Sequence, residues 1–302
     1  MTDASHSRLA VHGGAGDVPS ARTDPAFGRL ARRGGDDALA AGWHVLAGGG
    51  SALEAVIAAV VVLEDCEALN AGRGSVTGAT GLVEMDAAVM DGAGRRAGAV
   101  ALLRGIVHPV LAARAVMEDG RHVLLAGAGA EEFARDRGLD TIDAAALEAI
   151  AARRQRNPEQ PTGTVGAVAR DARGHLATAT STGGTRGKRP GRLSDSALVG
   201  AGTWADDATC AVSATGNGEG FIRCAFAHEV DALMRHAGLS LAAACERALA
   251  AVTALGFRGG CIAIDQGGRL AMPFTTRGMV RGWIDGDGAR LAVHPEESLE
   301  AS

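Results

Sequence analysis

The chain has 302 residues, 47% of them hydrophobic, which is enough to bury a substantial core in one domain. A net charge of -5 and the lack of a basic run interleaved with aromatics exclude a broad nucleic-acid surface. No apolar leader or membrane-length run is visible, so a cytoplasmic protein without a membrane partner is expected. Five cysteines (Cys66, Cys210, Cys224, Cys245 and Cys261), odd in number and widely spaced, read as free thiols rather than bridges or zinc ligands.

Leu9-Ala10-Val11 reads as a short buried strand entering His12-Gly13-Gly14-Ala15-Gly16, a turn whose bare backbone invites close approach by another segment. Apolar spacing predicts helices from Ala38 to Leu46 and from Leu53 to Leu63, the second opened by a capping box of Ser51 and Glu54. A glycine-rich loop, Leu69 to Ser75, follows. Next come strands around Leu82-Met85, Ala87-Met90 and Gly98-Leu103, read as a small antiparallel meander. Pro109 to Glu118 and Ala130 to Arg137 are expected helices. Residues from about 140 to 163 change in character. Ala144 to Arg154 has helical potential, but the polar, proline-bounded Arg153 to Pro161 cannot bury a face, and the whole stretch is taken as an exposed linker.

Strand periodicity resumes with a hairpin of Thr164 to Arg170 and His175 to Thr180 around Asp171-Ala172-Arg173-Gly174. A strand from Thr209 to Ala214, one long helix from Gly220 to His236, a helix capped by Ser240, and a last hairpin from Cys261 to Met272 complete the reading. Antiparallel strands and helix pairs in both halves favour an α+β layer protein over a doubly wound one.

Three familiar motifs fail on context. Gly92-Ala93-Gly94-Arg95-Arg96-Ala97 leads into a strand where a dinucleotide-binding helix should begin, and Gly184 to Arg189 lacks the rest of a P-loop. His228-Glu229 lacks the second histidine of a metalloprotease helix.

The stretch Gly163-Thr164 at a strand entry has more chemistry in it. A threonine hydroxyl needs a base, and its own α-amine, with an unperturbed pKa of roughly 7.7 to 8, can serve if Thr164 becomes a chain terminus. Gly163, without a Cβ, can expose its carbonyl to that hydroxyl for an N-to-O acyl shift followed by ester hydrolysis.

Around it lie His12-Gly13-Gly14-Ala15-Gly16, Asn70-Ala71-Gly72-Arg73-Gly74-Ser75, Met90-Asp91-Gly92, Thr180-Ser181-Thr182-Gly183-Gly184, Gly191-Arg192, Asp195-Ser196 and Thr215-Gly216-Asn217-Gly218-Glu219. In this order, over nearly the full length, the chain resembles the plant-type L-asparaginase and isoaspartyl peptidase family of N-terminal nucleophile hydrolases. The resemblance implies a four-layer αββα sandwich, α+β in class, with two mostly antiparallel sheets. It implies a single domain cut between Gly163 and Thr164 into residues 1–163 and 164–302. It also implies a homodimer of such cleaved heterodimers.

By the same resemblance Thr164 is nucleophile and base, and Thr182 tunes its hydroxyl. Thr215 and Gly216 form the oxyanion hole. Arg192 clamps the substrate α-carboxylate, Asp195 the α-ammonium, and Asn70 lies near the nucleophile. A sodium ion is implied on the backbone carbonyls of Leu63, Glu64, Cys66, Leu69, Ala71 and Arg73, with no organic cofactor.

The implied reaction is hydrolysis of a small-molecule β-amide, L-asparagine to aspartate and ammonia, or an isoaspartyl dipeptide. The basic loop Thr185 to Pro190 departs from the family pattern and leaves the preference between them open, and Leu69 stands where an aromatic is common. Two alternatives are a glycosylasparaginase, disfavoured by Gly163 and Gly183, and a non-catalytic amino-acid-binding protein of the same fold.

Overall fold

The computed structural model describes residues 7–155 and 163–299. Its first half runs β1 (Arg8–Gly16), α1 (Pro25–Ala47), α2 (Ala52–Asp65), β2 (Met85–Asp91), β3 (Arg96–Leu103), α3 (Pro109–Asp119), β4 (Leu124–Ala126), α4 (Gly127–Asp136) and α5 (Ala144–Gln155). The second half runs β5 (Val165–Arg170), β6 (Leu176–Thr182), β7 (Thr203–Ala205), β8 (Cys210–Gly216), α6 (Gly218–Cys224), α7 (Phe226–Ala237), α8 (Leu241–Ala254), β9 (Gly259–Asp265), β10 (Leu270–Ala271), β11 (Gly278–Asp285) and β12 (Gly288–Ala292).

Eight strands form one sheet in the order β12-β11-β1-β5-β6-β2-β3-β4, and four form a second in the order β10-β9-β8-β7. Pairing is antiparallel throughout, apart from β4, which runs parallel to β3.

Alternation along the strands sorts side chains into three cores. On β5, Val165, Ala167 and Ala169 face α1 and α2, while Val168 faces the second sheet. On β8, Cys210, Val212 and Ala214 face α7 and α8, while Ala211 meets the first sheet. Two sheets face to face, with helices on both outer faces, make the αββα sandwich. Among the described residues no helix is long and apolar enough to cross a membrane.

Local chemistry explains the best-defined helices. Ser51 Oγ accepts from Glu54 N–H, and the Glu54 carboxylate accepts from Ser51 N–H, closing the capping box of α2. This helix buries Val56, Ile57, Val60 and Leu63, each stabilising the fold by about 1.5–3 kcal/mol. α1 starts earlier than its apolar spacing predicts, because Asp24 caps it and Pro25 occupies the first turn.

Several expectations change. The meander is a two-stranded hairpin, β2–β3, with the dinucleotide-like glycines in its turn. The long helix from Gly220 breaks at Ala225, which is left-handed at φ 45°, into α6 and α7. β11 and β12, absent from the sequence reading, complete one edge of the large sheet.

In the stretch 140–163, taken as an exposed linker with helical potential from Ala144 to Arg154, Ala144–Gln155 is helical and part of it is not exposed. Leu147 and Ala151 on α5 are buried against Val83 and Met85. Their apolar spacing gives this stretch a face that the polar residues after it lack. The remainder of that linker, residues 156–162, lies outside the described residues. All five cysteines are free thiols, three of them buried.

Candidate active site

β1, β5, β6 and β8 bring the site residues to one end of the space between the sheets. β1 and β5 are neighbours, with His12 opposite Gly166. β1 carries a bulge between His12 and Gly14 where it pairs with β11, which turns the glycine backbone toward the start of β5. Gly14 is left-handed at φ +114°, and a Cβ on it would lie 2.7 Å from Gly163 Cα. A Cβ on Gly163 would in turn collide with Gly14 Cα. The segment expected to lie against the bare backbone of Gly13-Gly14 is therefore the Gly163-Thr164 peptide itself.

Thr164 is buried, and each of its polar atoms is held. Its Oγ1–H donates to Thr182 Oγ1 at 3.2 Å, and Thr182 Oγ1 also accepts Gly184 N–H at 3.0 Å. Its amide N–H donates to Thr215 Oγ1 at 3.3 Å, and Ala15 N–H reaches the same oxygen at 3.2 Å. Gly216, next to Thr215, has φ +140°, and a Cβ there would strike Gly259 Cα, so only glycine fits this strand exit.

Asn70 ties two loops together under the nucleophile. Its Nδ2 donates to Gly184 O at 2.7 Å and its Oδ1 accepts Val76 N–H at 3.0 Å. Arg192 Nε donates to Glu219 Oε1 at 3.0 Å, leaving the far edge of the guanidinium beside Gly184 and Gly218.

Asp195 lies close by, since a Cβ on Gly218 would fall 2.6 Å from its Oδ1. Asp195 Oδ2 is buried and has no hydrogen-bond partner among the described residues. Burial pushes its carboxyl up to about 7, with the Arg192 charge acting in the opposite direction.

The carbonyls expected to hold sodium lie on the turn after α2. A Cβ on Gly74 would come within 2.9 Å of Cys66 O and would strike Leu69 O, and one on Gly72 would lie 2.5 Å from Glu64 O. Those three carbonyls thus gather around the backbone of Gly72–Gly74. Leu63 O, Cys66 O and Ala71 O already accept backbone N–H groups. In the basic loop, Lys188 turns inward, with Nζ donating to Glu84 O at 2.7 Å.

The sequence reading gave His12 no role. Its Nδ1 lies 3.0 Å from Thr164 O and its Nε2 2.9 Å from Ser213 Oγ. Ser213 Oγ is 2.8 Å from Thr180 Oγ1, which accepts from Thr203 Oγ1 at 2.8 Å. A carbonyl only accepts, so Nδ1 carries the hydrogen and Nε2 accepts from Ser213, whose oxygen in turn accepts from Thr180. Burial lowers the His12 pKa to about 3 and keeps the ring neutral. A histidine following a buried strand was the available signal. Glu219, the partner of Arg192, was visible only as part of its motif.

The asparaginase family model matches residues 5–156 and 144–293 of this chain. The chain belongs to the asparaginase family. It is 45% identical over 308 residues to the isoaspartyl peptidase of Salmonella typhimurium, covering 95% of this chain and 98% of the relative. It is 44% identical over 313 residues to the isoaspartyl peptidase of Escherichia coli, covering 96% of each. The isoaspartyl peptidase/L-asparaginase of Mus musculus is 43% identical over 229 residues, covering 71% of this chain and 68% of the relative.

Proposed function

We propose that this member of the asparaginase family is an amidohydrolase that cuts its own chain between Gly163 and Thr164 and then hydrolyses L-asparagine and β-aspartyl dipeptides. The observation that carries this reading is the environment of Thr164. Its hydroxyl is bonded to Thr182 and its nitrogen to Thr215, beside an arginine and a buried carboxylate of the kind that binds an amino acid. The names of the relatives, isoaspartyl peptidase and isoaspartyl peptidase/L-asparaginase, support the substrate class.

In the first step Thr164 Oγ attacks the Gly163 carbonyl. The C–N bond breaks, the nitrogen gains a proton, and an ester links the two residues. Water then cleaves the ester, leaving the Gly163 carboxylate and the free amine of Thr164. That amine takes the proton from Thr164 Oγ as it adds to the β-carbonyl of the substrate. Thr215 Oγ and Gly216 N–H hold the oxyanion, and the proton passes to the departing amine. Water, activated by the same amine, releases aspartate.

Arg192 takes the substrate α-carboxylate along its free edge, and the unpartnered Asp195 Oδ2 accepts from the α-ammonium. The carbonyls of Leu63, Glu64, Cys66, Leu69, Ala71 and Arg73, three of which gather at Gly72–Gly74, are hard, neutral oxygens of the kind that suits a sodium ion, which there would brace the Asn70 loop. Free thiols support a reducing, cytoplasmic setting, and the family resemblance supports a dimer of cleaved heterodimers.

A denaturing gel with a paired assay tests the reading. Wild type gives two fragments and releases aspartate from asparagine and from a β-aspartyl dipeptide, while Thr164→Ala gives one band and no product. A wild-type chain that stays whole and releases nothing overturns it in favour of a binding protein. Release of sugar from glycosylated asparagine at a comparable rate would point instead to a glycosylasparaginase.

A further inference from the structure

A cavity of about 330 Å³ lies beside the Thr164 site, with walls that include Ala15, Gly16, Asp17, Gly216, Arg258 and Arg277. It meets the site at two points. Ala15 N–H donates to the Thr215 hydroxyl that also accepts from Thr164, and Gly216 is the other member of the proposed oxyanion pair. Arg192 and Asp195 do not line it. The amino-acid end of a bound aspartyl group therefore lies elsewhere, and this cavity is left for the group on the other side of the attacked carbonyl.

The charge of the walls is lopsided. Arg277 Nε lies 3.6 Å from Asp17 Oδ1, with the two side chains 80% and 84% exposed, so that pair is weak and easily exchanged for another. Arg258 is clasped to Asn217 through its backbone. Its N–H donates to Asn217 Oδ1 and its carbonyl accepts Asn217 N–H, both at 2.9 Å. This clasp fixes Arg258 next to Gly259, the residue opposite Gly216 in the β8–β9 pairing, while the guanidinium has no partner among the described residues. Two guanidinium groups against one exposed carboxylate leave the cavity with excess positive charge.

We propose that this cavity is the leaving-group pocket, and that Arg258 and Arg277 receive the α-carboxylate of the amino acid released from a β-aspartyl dipeptide. The inference rests on the hydrolase reading and gives that site a preference: an amine bearing a carboxylate is favoured over a neutral one. Asparagine, whose leaving group is ammonia, makes no use of the pocket.

The test compares β-aspartyl-leucine with β-aspartyl-leucinamide, which differ only in the charge of the leaving group. In wild type the free acid has a kcat/KM about fivefold above the amide, carried in KM and narrowing at high ionic strength. The ratio falls to near one in Arg258→Ala/Arg277→Ala and is retained in Arg258→Lys/Arg277→Lys, where the charge remains. Equal rates for acid and amide in wild type, or a preference that survives the double alanine variant, overturn the pocket assignment and leave the hydrolase reading standing. A wild-type enzyme that hydrolyses neither peptide nor asparagine overturns both.

Discussion

His12 donates its Nδ1–H to the carbonyl oxygen of Thr164 at 3.0 Å, across 152 positions of sequence. The bond holds the Thr164 carbonyl, while Thr182 holds its hydroxyl. His12→Ala removes the imidazole donor from that carbonyl, at about 1–3 kcal/mol, leaves the Ser213 hydroxyl with Thr180 alone, and opens a cavity. The expected result is slower self-cleavage by at least about tenfold and a lower melting temperature. His12→Asn, whose amide nitrogen can replace Nδ1, restores cleavage more than stability. Densitometry of the two fragments over time, with a melt of each variant, separates these outcomes.

Gly14 and Gly163 exclude each other's side chains. Gly163→Ala should block or greatly slow the cut while the chain still folds, because the added methyl pushes the peptide away from Gly14. Gly14→Ala carries an extra cost from its φ of +114° and should lower the melting temperature as well. Rapid cleavage of Gly163→Ala would contradict the close approach.

Acid should act on substrate capture more steeply than on turnover. Free enzyme must lose a proton from Asp195, near 7, and from the terminal amine, so kcat/KM falls with a slope approaching two below both values. Bound substrate places an ammonium at Asp195 and holds it ionised, so kcat falls with a slope of one. Asp195→Asn should raise KM and reduce the kcat/KM slope to one. Matching slopes in wild type and variant would remove Asp195 from the binding account.

Stability gives an independent reading of Asp195, and with it one of His12. The folded Asp195 pKa is raised to about 7, so its ionisation penalty grows as pH rises from 3.8 to 7 and is constant above. The stability of Asp195→Asn relative to wild type should therefore increase by about 1.4 kcal/mol per pH unit over that window. His12 runs the other way. Its folded pKa near 3 lies below the ordinary histidine value of 6.5, so its contribution is complete above 6.5 and is lost as pH falls toward 3, about 2 kcal/mol of it by pH 5. Denaturant melts at several pH values measure both slopes.

Arg192→Lys keeps a charge but loses the planar fork beside Gly184 and Gly218. KM for asparagine should rise about tenfold or more with a smaller change in kcat, and Arg192→Ala should be worse. Steady-state kinetics on cleaved enzyme decide it.

What could be read from sequence depended on how local each cause is. The α2 cap needs only Ser51 and Glu54, three residues apart, and the β5–β6 hairpin needs only alternation and a turn at Asp171 to Gly174. β11 owes its place to pairing with β1, Leu9 opposite Ile284, and nothing near Gly278 announces that distant partner. The break at Ala225 puts a left-handed backbone on a residue with no preference for it. In the site, the threonines, Arg192, Asp195 and Asn70 were named from their motifs, and the fold brings them together. The bonds of His12 depend on Thr164 and Ser213 from other strands, which no local pattern records.

The order of the large sheet bears on the life of the molecule. β1 lies between β11 and β5, and β2 pairs with β6, so strands from both sides of the Gly163-Thr164 bond share one hydrogen-bonded ladder. A chain cut at that bond stays assembled because parting its pieces means unzipping the sheet. Once denatured, however, the two pieces must find each other by diffusion, whereas the uncut precursor searches only within itself. Renaturation of the form cut as proposed should thus depend on protein concentration and that of Thr164→Ala should not, making that bond one needed only for the first folding.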